Sequence, residues 1–299
     1  MSKLTENYTG IYSLMLTPYH EDLSVDYAAY EEYADWQVSQ GVGHLFAVCG
    51  SSEMAELTLE ERLKLAELTV KHKGGTTVVA TANMEPSWFA QVEEVKRMTA
   101  TGVDGIVFTT KGFGNDPDRL VNYIGELKQF TDLPVFMYEF PGLRPHLISG
   151  ECYGRLVREC GIYGIKDTTS TYEGIAEKIA VKGDSCVIQA NMPFLFDAFK
   201  LGARGVMATP TACGGAFFQR FFEAFMSGDM ALAEQRYNEI ILLDNAIDNG
   251  FNCSAKYLAH LQGAEGMKPI NRGRQQLSSA RLRSLRSFHD WCVANGLMK

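Results

Sequence analysis

The chain has 299 residues, 46% hydrophobic and 21% charged, a globular composition that excludes disorder, collagen-like repeats and a coiled-coil rod. Its 28 basic and 36 acidic residues give a formal net charge of -8, and no Lys/Arg block interrupts it, so nucleic acid and anionic lipid are poor partners. The length suits one large domain or two small ones, with ample residues for a buried core.

Met1 to Gly10 is polar and lacks the apolar core of a signal peptide. No apolar run approaches the roughly 18 residues that a membrane helix needs. The seven Cys are scattered without a C-x-x-C pair, and the six His are dispersed. These features predict a reduced cytoplasmic protein without a metal cluster, its Cys serving as small buried apolar residues.

Short apolar runs recur along the chain at 11–16, 44–48, 77–81, 105–109, 134–138, 163–166, 186–189 and 205–208. They are apolar nearly throughout, as strands covered on both faces are. Amphipathic stretches separate them. One opens at Thr58, where Thr-Leu-Glu-Glu forms a capping box leading into Leu63, Leu65, Ala66 and Leu68. Further helices are predicted over 85–101, 116–130, 149–159, 172–181, 192–201 and 215–227.

Strands alternating with helices predict an α/β fold with a parallel sheet, and eight such units fit a closed (β/α)8 TIM barrel. A doubly wound open sheet is the competitor. It would carry G-x-G-x-x-G after the first strand, where this chain reads Leu16-Thr17-Pro18-Tyr19. Beyond the eighth unit the pattern is helical, over 230–249, 254–262 and 278–294. The expected organisation is a catalytic barrel domain over 1–227 and a three-helix extension over 228–299, packed on the barrel without a linker.

Barrel sites lie at the carboxyl ends of the strands. The sixth run ends at Lys166, where partial burial would favour a neutral amine able to attack a ketone and form a Schiff base. A lysine curling out to solvent is the plain alternative. The fifth run ends at Tyr138. Adjacent strands lie about 4.8 Å apart, so its phenol and the Lys166 amine can meet, and the phenol can shuttle protons; an aromatic filling the barrel core is the alternative. The second run ends Gly50-Ser51-Ser52-Glu53, a turn whose donors suit a carboxylate, or simply a strand-to-helix turn. Lys111 and Arg144 are candidate anion anchors, or solvated surface charges. Together these residues suit a carbonyl substrate that carries a carboxylate.

Gly-Ile-Lys166-Asp-Thr and Tyr138-Glu-Phe-Pro141, at this spacing, resemble the pyruvate-dependent class I aldolase family of N-acetylneuraminate lyase and dihydrodipicolinate synthase. The similarity runs from Leu16-Thr17-Pro18 to the terminal helices. It implies a Schiff base on Lys166, proton transfer by Tyr138, a relay through Ser51 and a substrate carboxylate held by Ser52. It also implies no organic cofactor, no metal and a homo-oligomer, commonly a tetramer.

Several positions depart from the family's pattern. The second-strand turn lacks the second glycine of Gly-Ser/Thr-Thr-Gly-Glu. After the fourth run, Thr110-Lys111-Gly112 replaces the Pro-Tyr-Tyr of the synthases, and Leu143 stands where they place an arginine. Ala190-Asn191-Met192-Pro193 carries no acid where sialic acid lyases bind a polyol.

The expected activity is a Schiff-base lyase, aldolase or dehydratase, acting on pyruvate or a 2-keto acid such as a 2-keto-3-deoxy sugar acid. In that reading Ser52 and Arg144 hold the carboxylate, Lys111 faces the variable end, and Ala190 and Met207 line the pocket. The alternatives are a condensing synthase and a catalytically silent 2-keto-acid-binding protein. A phosphate-binding barrel would need Cys213-Gly214-Gly215 as its anion loop, although these glycines more simply open a helix.

Overall fold

The structure is a computed structural model and describes residues 7–298, so part of the polar start and the last residue lie outside it. Eight parallel strands follow one another in sequence order around a closed barrel. They are β1 (Gly10–Leu14), β2 (His44–Val48), β3 (Thr77–Thr81), β4 (Gly105–Thr109), β5 (Val135–Tyr138), β6 (Gly164–Asp167), β7 (Cys186–Gln189) and β8 (Gly205–Val206). The helices after the strands are α1 (Tyr27–Ser39), α2 (Leu59–His72), α3 (Trp88–Ala100), α4 (Pro117–Leu127), α5 (Gly150–Cys160), α6 (Tyr172–Val181), α7 (Leu195–Leu201) and α8 (Thr211–Met226). Three more complete the chain: α9 (Met230–Asp248), α10 (Phe251–Leu261) and α11 (Ser279–Ala294). The expected (β/α)8 barrel with C-terminal helices is therefore the fold.

By compactness the chain divides into two units, one of residues up to Gly10 with Thr77–Met207, the other of Ile11–Thr76 with Ala208 onward. In the first, β3 to β8 pair in parallel, and a continuous row of partners runs Thr109, Tyr138, Lys166, Ile188, Gly205. Short polar residues, Ser87, Asp116, Ser149 and Thr171, cap α3 to α6. Ser149 accepts the Cys152 N–H at the head of α5, and Gly161 ends that helix at φ 63°, the left-handed conformation glycine adopts without cost.

In the second unit β1 pairs with β2. The Thr58 capping box forms as the sequence predicts: Thr58 Oγ1 accepts the Glu61 N–H, and the Glu61 carboxylate accepts the Thr58 N–H. Helix α1 has no counterpart among the expected helices. Its buried face carries Tyr30, Tyr33 and Gln37 in place of aliphatic residues, so the apolar period is weak. The C-terminal helices belong to this unit: the Trp36 indole of α1 donates to Gln262 O, beyond α10. Gly214 breaks the regular turn of α8 where α9 crosses; a Cβ there would lie 2.4 Å from Leu243. That close approach accounts for Gly214, and a Cβ on Gly215 would lie 2.8 Å from Val42, so packing calls for both glycines.

Candidate active site

Tyr138 is the last residue of β5, and Lys166, its Cα partner, the penultimate residue of β6. Successive strand residues face opposite sides. The next residues, Glu139 and Asp167, both reach Lys178 on α6 in the helix layer. Tyr138 and Lys166 therefore face the barrel interior, at the carboxyl end of their strands. Both are 4% exposed, and the Lys166 Nζ stands 4.2 Å from the centre of the Tyr138 ring. The π face of the phenol attracts the ammonium and fixes the direction of its four-carbon stem. The solvent-facing alternative for Lys166 does not hold.

Behind this pair lies a fully buried ion cluster. The Lys178 Nζ is 2.8 Å from Glu139 Oε1 and 3.0 Å from Asp167 Oδ1, and also donates to the Thr169 hydroxyl. Glu139 accepts the Ile148 N–H at 2.9 Å and the Thr168 N–H at 3.1 Å. Burial pushes the Glu139 carboxyl up to about 7; the Lys178 cation opposes this, and the neighbouring Asp167 adds to it. Glu139, Asp167 and Lys178 are not among the residues that the sequence singles out. Strand alternation was the available signal, since two carboxylates immediately following two interior residues must enter the helix layer and need a cation there.

The end of β4 is fixed by Asn83. Its Oδ1 accepts the Thr109 N–H at 2.9 Å and hydroxyl at 3.1 Å, while its Nδ2 donates to Thr109 O at 3.0 Å and Tyr123 Oη at 3.1 Å. Lys111 follows at φ 50° and folds back, its Nζ donating to Glu85 O at 3.1 Å. Arg144 is exposed, in the loop after β5, with its Nε donating to Pro141 O at 3.3 Å. Met207 is buried just after β8. Ala190 is half-buried after β7, its N–H donating to Asp167 O at 3.0 Å. Its neighbour Asn191 donates to Thr168 O at 2.8 Å and Thr169 O at 3.1 Å, which latches the turn after β7 to the turn after β6.

The second-strand turn lies in the other unit. Ser51 is buried, its Oγ 2.7 Å from the Thr209 hydroxyl. Ser52 is committed to the turn itself: its Oγ accepts the Cys49 N–H at 3.0 Å and donates to Met15 O at 2.6 Å. The left-handed residue of this turn is Glu53, at φ 63°. Its carboxylate receives the buried Lys256 ammonium of α10 at 2.8 Å and the Arg272 N–H at 2.9 Å. Burial holds the Lys256 amine below its usual range, against the pull of Glu53. The missing glycine is thus answered by a charged residue anchored at both carboxylate oxygens.

All seven cysteines are buried free thiols. Among the described residues, no helix is long and apolar enough to cross a membrane.

A sequence profile of the dihydrodipicolinate synthetase family matches residues 7–275. A 4-hydroxy-tetrahydrodipicolinate synthase of Oceanobacillus iheyensis is 25% identical over 238 residues, 79% of this chain and 80% of that protein. The Escherichia coli K12 protein named "Probable 2-dehydro-3-deoxy-D-pentonate aldolase YjhH" is 25% identical over 260 residues, 84% of this chain and 86% of its own. Among solved structures, YagE of Escherichia coli K12, determined in complex with pyruvate, superposes with a TM-score of 0.86 at 22% identity, covering 97% of this chain and 99% of its own.

Proposed function

The chain belongs to the dihydrodipicolinate synthetase family, whose members are pyruvate-dependent Schiff-base lyases or condensing enzymes, and from that premise we propose an aldolase or dehydratase acting on a 2-keto acid such as a 2-keto-3-deoxy sugar acid. One observation carries the reading: a buried lysine at a barrel strand end, its Nζ 4.2 Å from the ring of a buried tyrosine on the adjacent strand.

As a free base, Lys166 attacks the C2 carbonyl carbon. The carbonyl oxygen takes up a proton, giving a carbinolamine. Loss of that hydroxyl as water leaves a protonated imine. In the aldolase direction the C4 hydroxyl gives up its proton, the C3–C4 bond breaks, and its electron pair moves into the imine to form an enamine. An aldehyde departs. Protonation at C3 and hydrolysis then release pyruvate and restore the amine. In a dehydratase the C3 proton is lost first and the β-hydroxyl leaves as water. Tyr138 carries the protons between these oxygens and carbons.

By resemblance, the turn after β2 supplies the relay and the carboxylate contacts. Ser52 has one hydroxyl proton, which already goes to Met15 O. The Ser51–Thr209 pair has two hydroxyl protons and one mutual hydrogen bond, so it keeps one for a substrate oxygen. We therefore assign the relay, or else the carboxylate contact, to that pair ahead of the Ser52 side chain. We extend this reading to a cytoplasmic homo-oligomer, tetramer or dimer; light scattering measures the subunit number.

The test is incubation with pyruvate and borohydride, followed by peptide mass analysis. A reduced pyruvyl adduct on Lys166 is expected; an adduct on Lys111 or none at all sinks the reading. Turnover of 2-keto-3-deoxy sugar acids, with pyruvate detection for aldolases and a separate assay for dehydratases, distinguishes a lyase from a silent binding protein.

A further inference from the structure

The two residues of the proposed chemistry are each followed by a buried carboxylate, and both carboxylates meet one buried ammonium, that of Lys178 on α6. Such a cluster is a poor way to gain stability, because desolvating three charges offsets much of their mutual attraction, and apolar replacements are often as stable. Its effect here is geometric. Glu139 is fixed to the chain ahead of α5 through the Ile148 N–H at 2.9 Å, and to the turn after β6 through the Thr168 N–H at 3.1 Å. The Thr168 hydroxyl returns to Glu139 O at 2.9 Å. Asp167 accepts the Thr169 N–H at 2.9 Å and is reached by the Gln189 amide of β7 at 3.5 Å.

These links fall where the strand ladder loosens. The last backbone bond between β5 and β6, Glu139 N–H to Lys166 O, is 3.5 Å long, well beyond the usual ladder distance of about 2.9 Å. At the catalytic level the side-chain cluster, more than the backbone, joins the two strands.

We propose that Lys178 is a positioning residue: by clamping Glu139 and Asp167 on the outer face of β5 and β6, it holds Tyr138 and Lys166 in register on the inner face. The inference rests on the Schiff-base reading of Lys166. A displacement of about 1 Å at a reacting group costs on the order of 100-fold in rate, so a clamp that fixes this register acts on the rate of imine formation more than on pyruvate binding.

The experiment measures borohydride trapping of pyruvate against pyruvate concentration for the wild type, Lys178→Met and Asp167→Asn, with circular dichroism on each. For a folded Lys178→Met, the limiting trapping rate falls on the order of 100-fold while half-saturating pyruvate moves by less than about threefold. Should Lys178→Met fail to fold, Asp167→Asn is read instead. It keeps the side-chain shape and the Glu139–Lys178 pair, and the same split at roughly tenfold is expected. A folded variant that traps within about twofold of the wild type, or that changes only half-saturation, overturns the positioning role. Failure of the wild type to trap pyruvate overturns the Schiff-base reading and this inference with it. Wild-type trapping beside an undiminished folded variant overturns this inference alone.

Discussion

The Lys256 ammonium of α10 lies 2.8 Å from the Glu53 carboxylate, with both side chains nearly out of solvent, and Glu53 itself sits at φ 63°. A residue with a side chain is strained by roughly 1–2 kcal/mol in the left-handed region. The strain persists because the carboxylate is held from two directions, by Lys256 and by the Arg272 N–H. Within its unit, the turn that carries Ser51 and Ser52 is thus anchored by the C-terminal part of the chain.

Lys256→Met leaves Glu53 buried without its cation, and removing one partner of a buried pair costs about 3–5 kcal/mol. Glu53→Gly relieves the backbone strain while unpairing Lys256, so its loss should be smaller. Guanidinium unfolding measures both. A Lys256→Met variant within about 1 kcal/mol of wild type contradicts the anchoring role.

Lys166→Ala should abolish pyruvate trapping with the fold preserved, since the side chain faces the barrel interior and the hydrogen bonds of the strand ladder are made by the backbone. Tyr138→Phe removes a single oxygen. It should keep the fold and trap pyruvate, yet lose on the order of 10²–10⁴ in turnover, the usual weight of a positioned proton-transfer group. Near-normal turnover in Tyr138→Phe removes the phenol from the mechanism.

What the sequence discloses and what it hides follow from range. The strands are legible as short, largely apolar runs that recur between amphipathic stretches, and the helix at Thr58 because its capping box is local. Lys166 and Tyr138 are legible because strand-end position and residue type suffice to single them out. Lys178 is not, since its partners lie 39 and 11 residues away and become neighbours only once β5, β6 and α6 pack. Ser52 shows the converse. Its type and position suggest a substrate contact, but whether its hydroxyl is spare depends on Met15 O, which only the folded turn brings within 2.6 Å.

Glu139 gives a pH prediction. Its folded-state value is raised from an ordinary 4.5 to about 7, chiefly by burial. The folded protein therefore binds this proton more tightly than the unfolded chain does. The resulting stabilisation is complete below pH 4.5 and is lost as pH rises through about 7, where Glu139 ionises inside the protein. Glu139→Gln cannot ionise, so the stability difference between wild type and variant should move in the variant's favour across that window, by at most about 3 kcal/mol. A difference independent of pH would show that Glu139 titrates as it does in the unfolded chain.

Ser51 and Thr209 share one hydrogen bond of 2.7 Å, and in the proposed reading the direction of the donor in that bond decides which hydroxyl would act on substrate. Thr209→Val removes the partner while keeping the volume. Ser51 then keeps its proton but loses the oxygen that orients it or takes up its proton in a relay. Ser51→Ala removes the group outright. If the pair works as a relay, both variants lower turnover, Ser51→Ala by on the order of 10²-fold and Thr209→Val by less, and the double variant is no worse than Ser51→Ala. If Ser51 only grips the carboxylate, Ser51→Ala raises KM and leaves kcat in place, while Thr209→Val does little, because a single hydroxyl can donate to a carboxylate without a second behind it. Steady-state kinetics of the four proteins on one 2-keto acid substrate separate the cases, and additive losses in kcat would show the two hydroxyls acting independently.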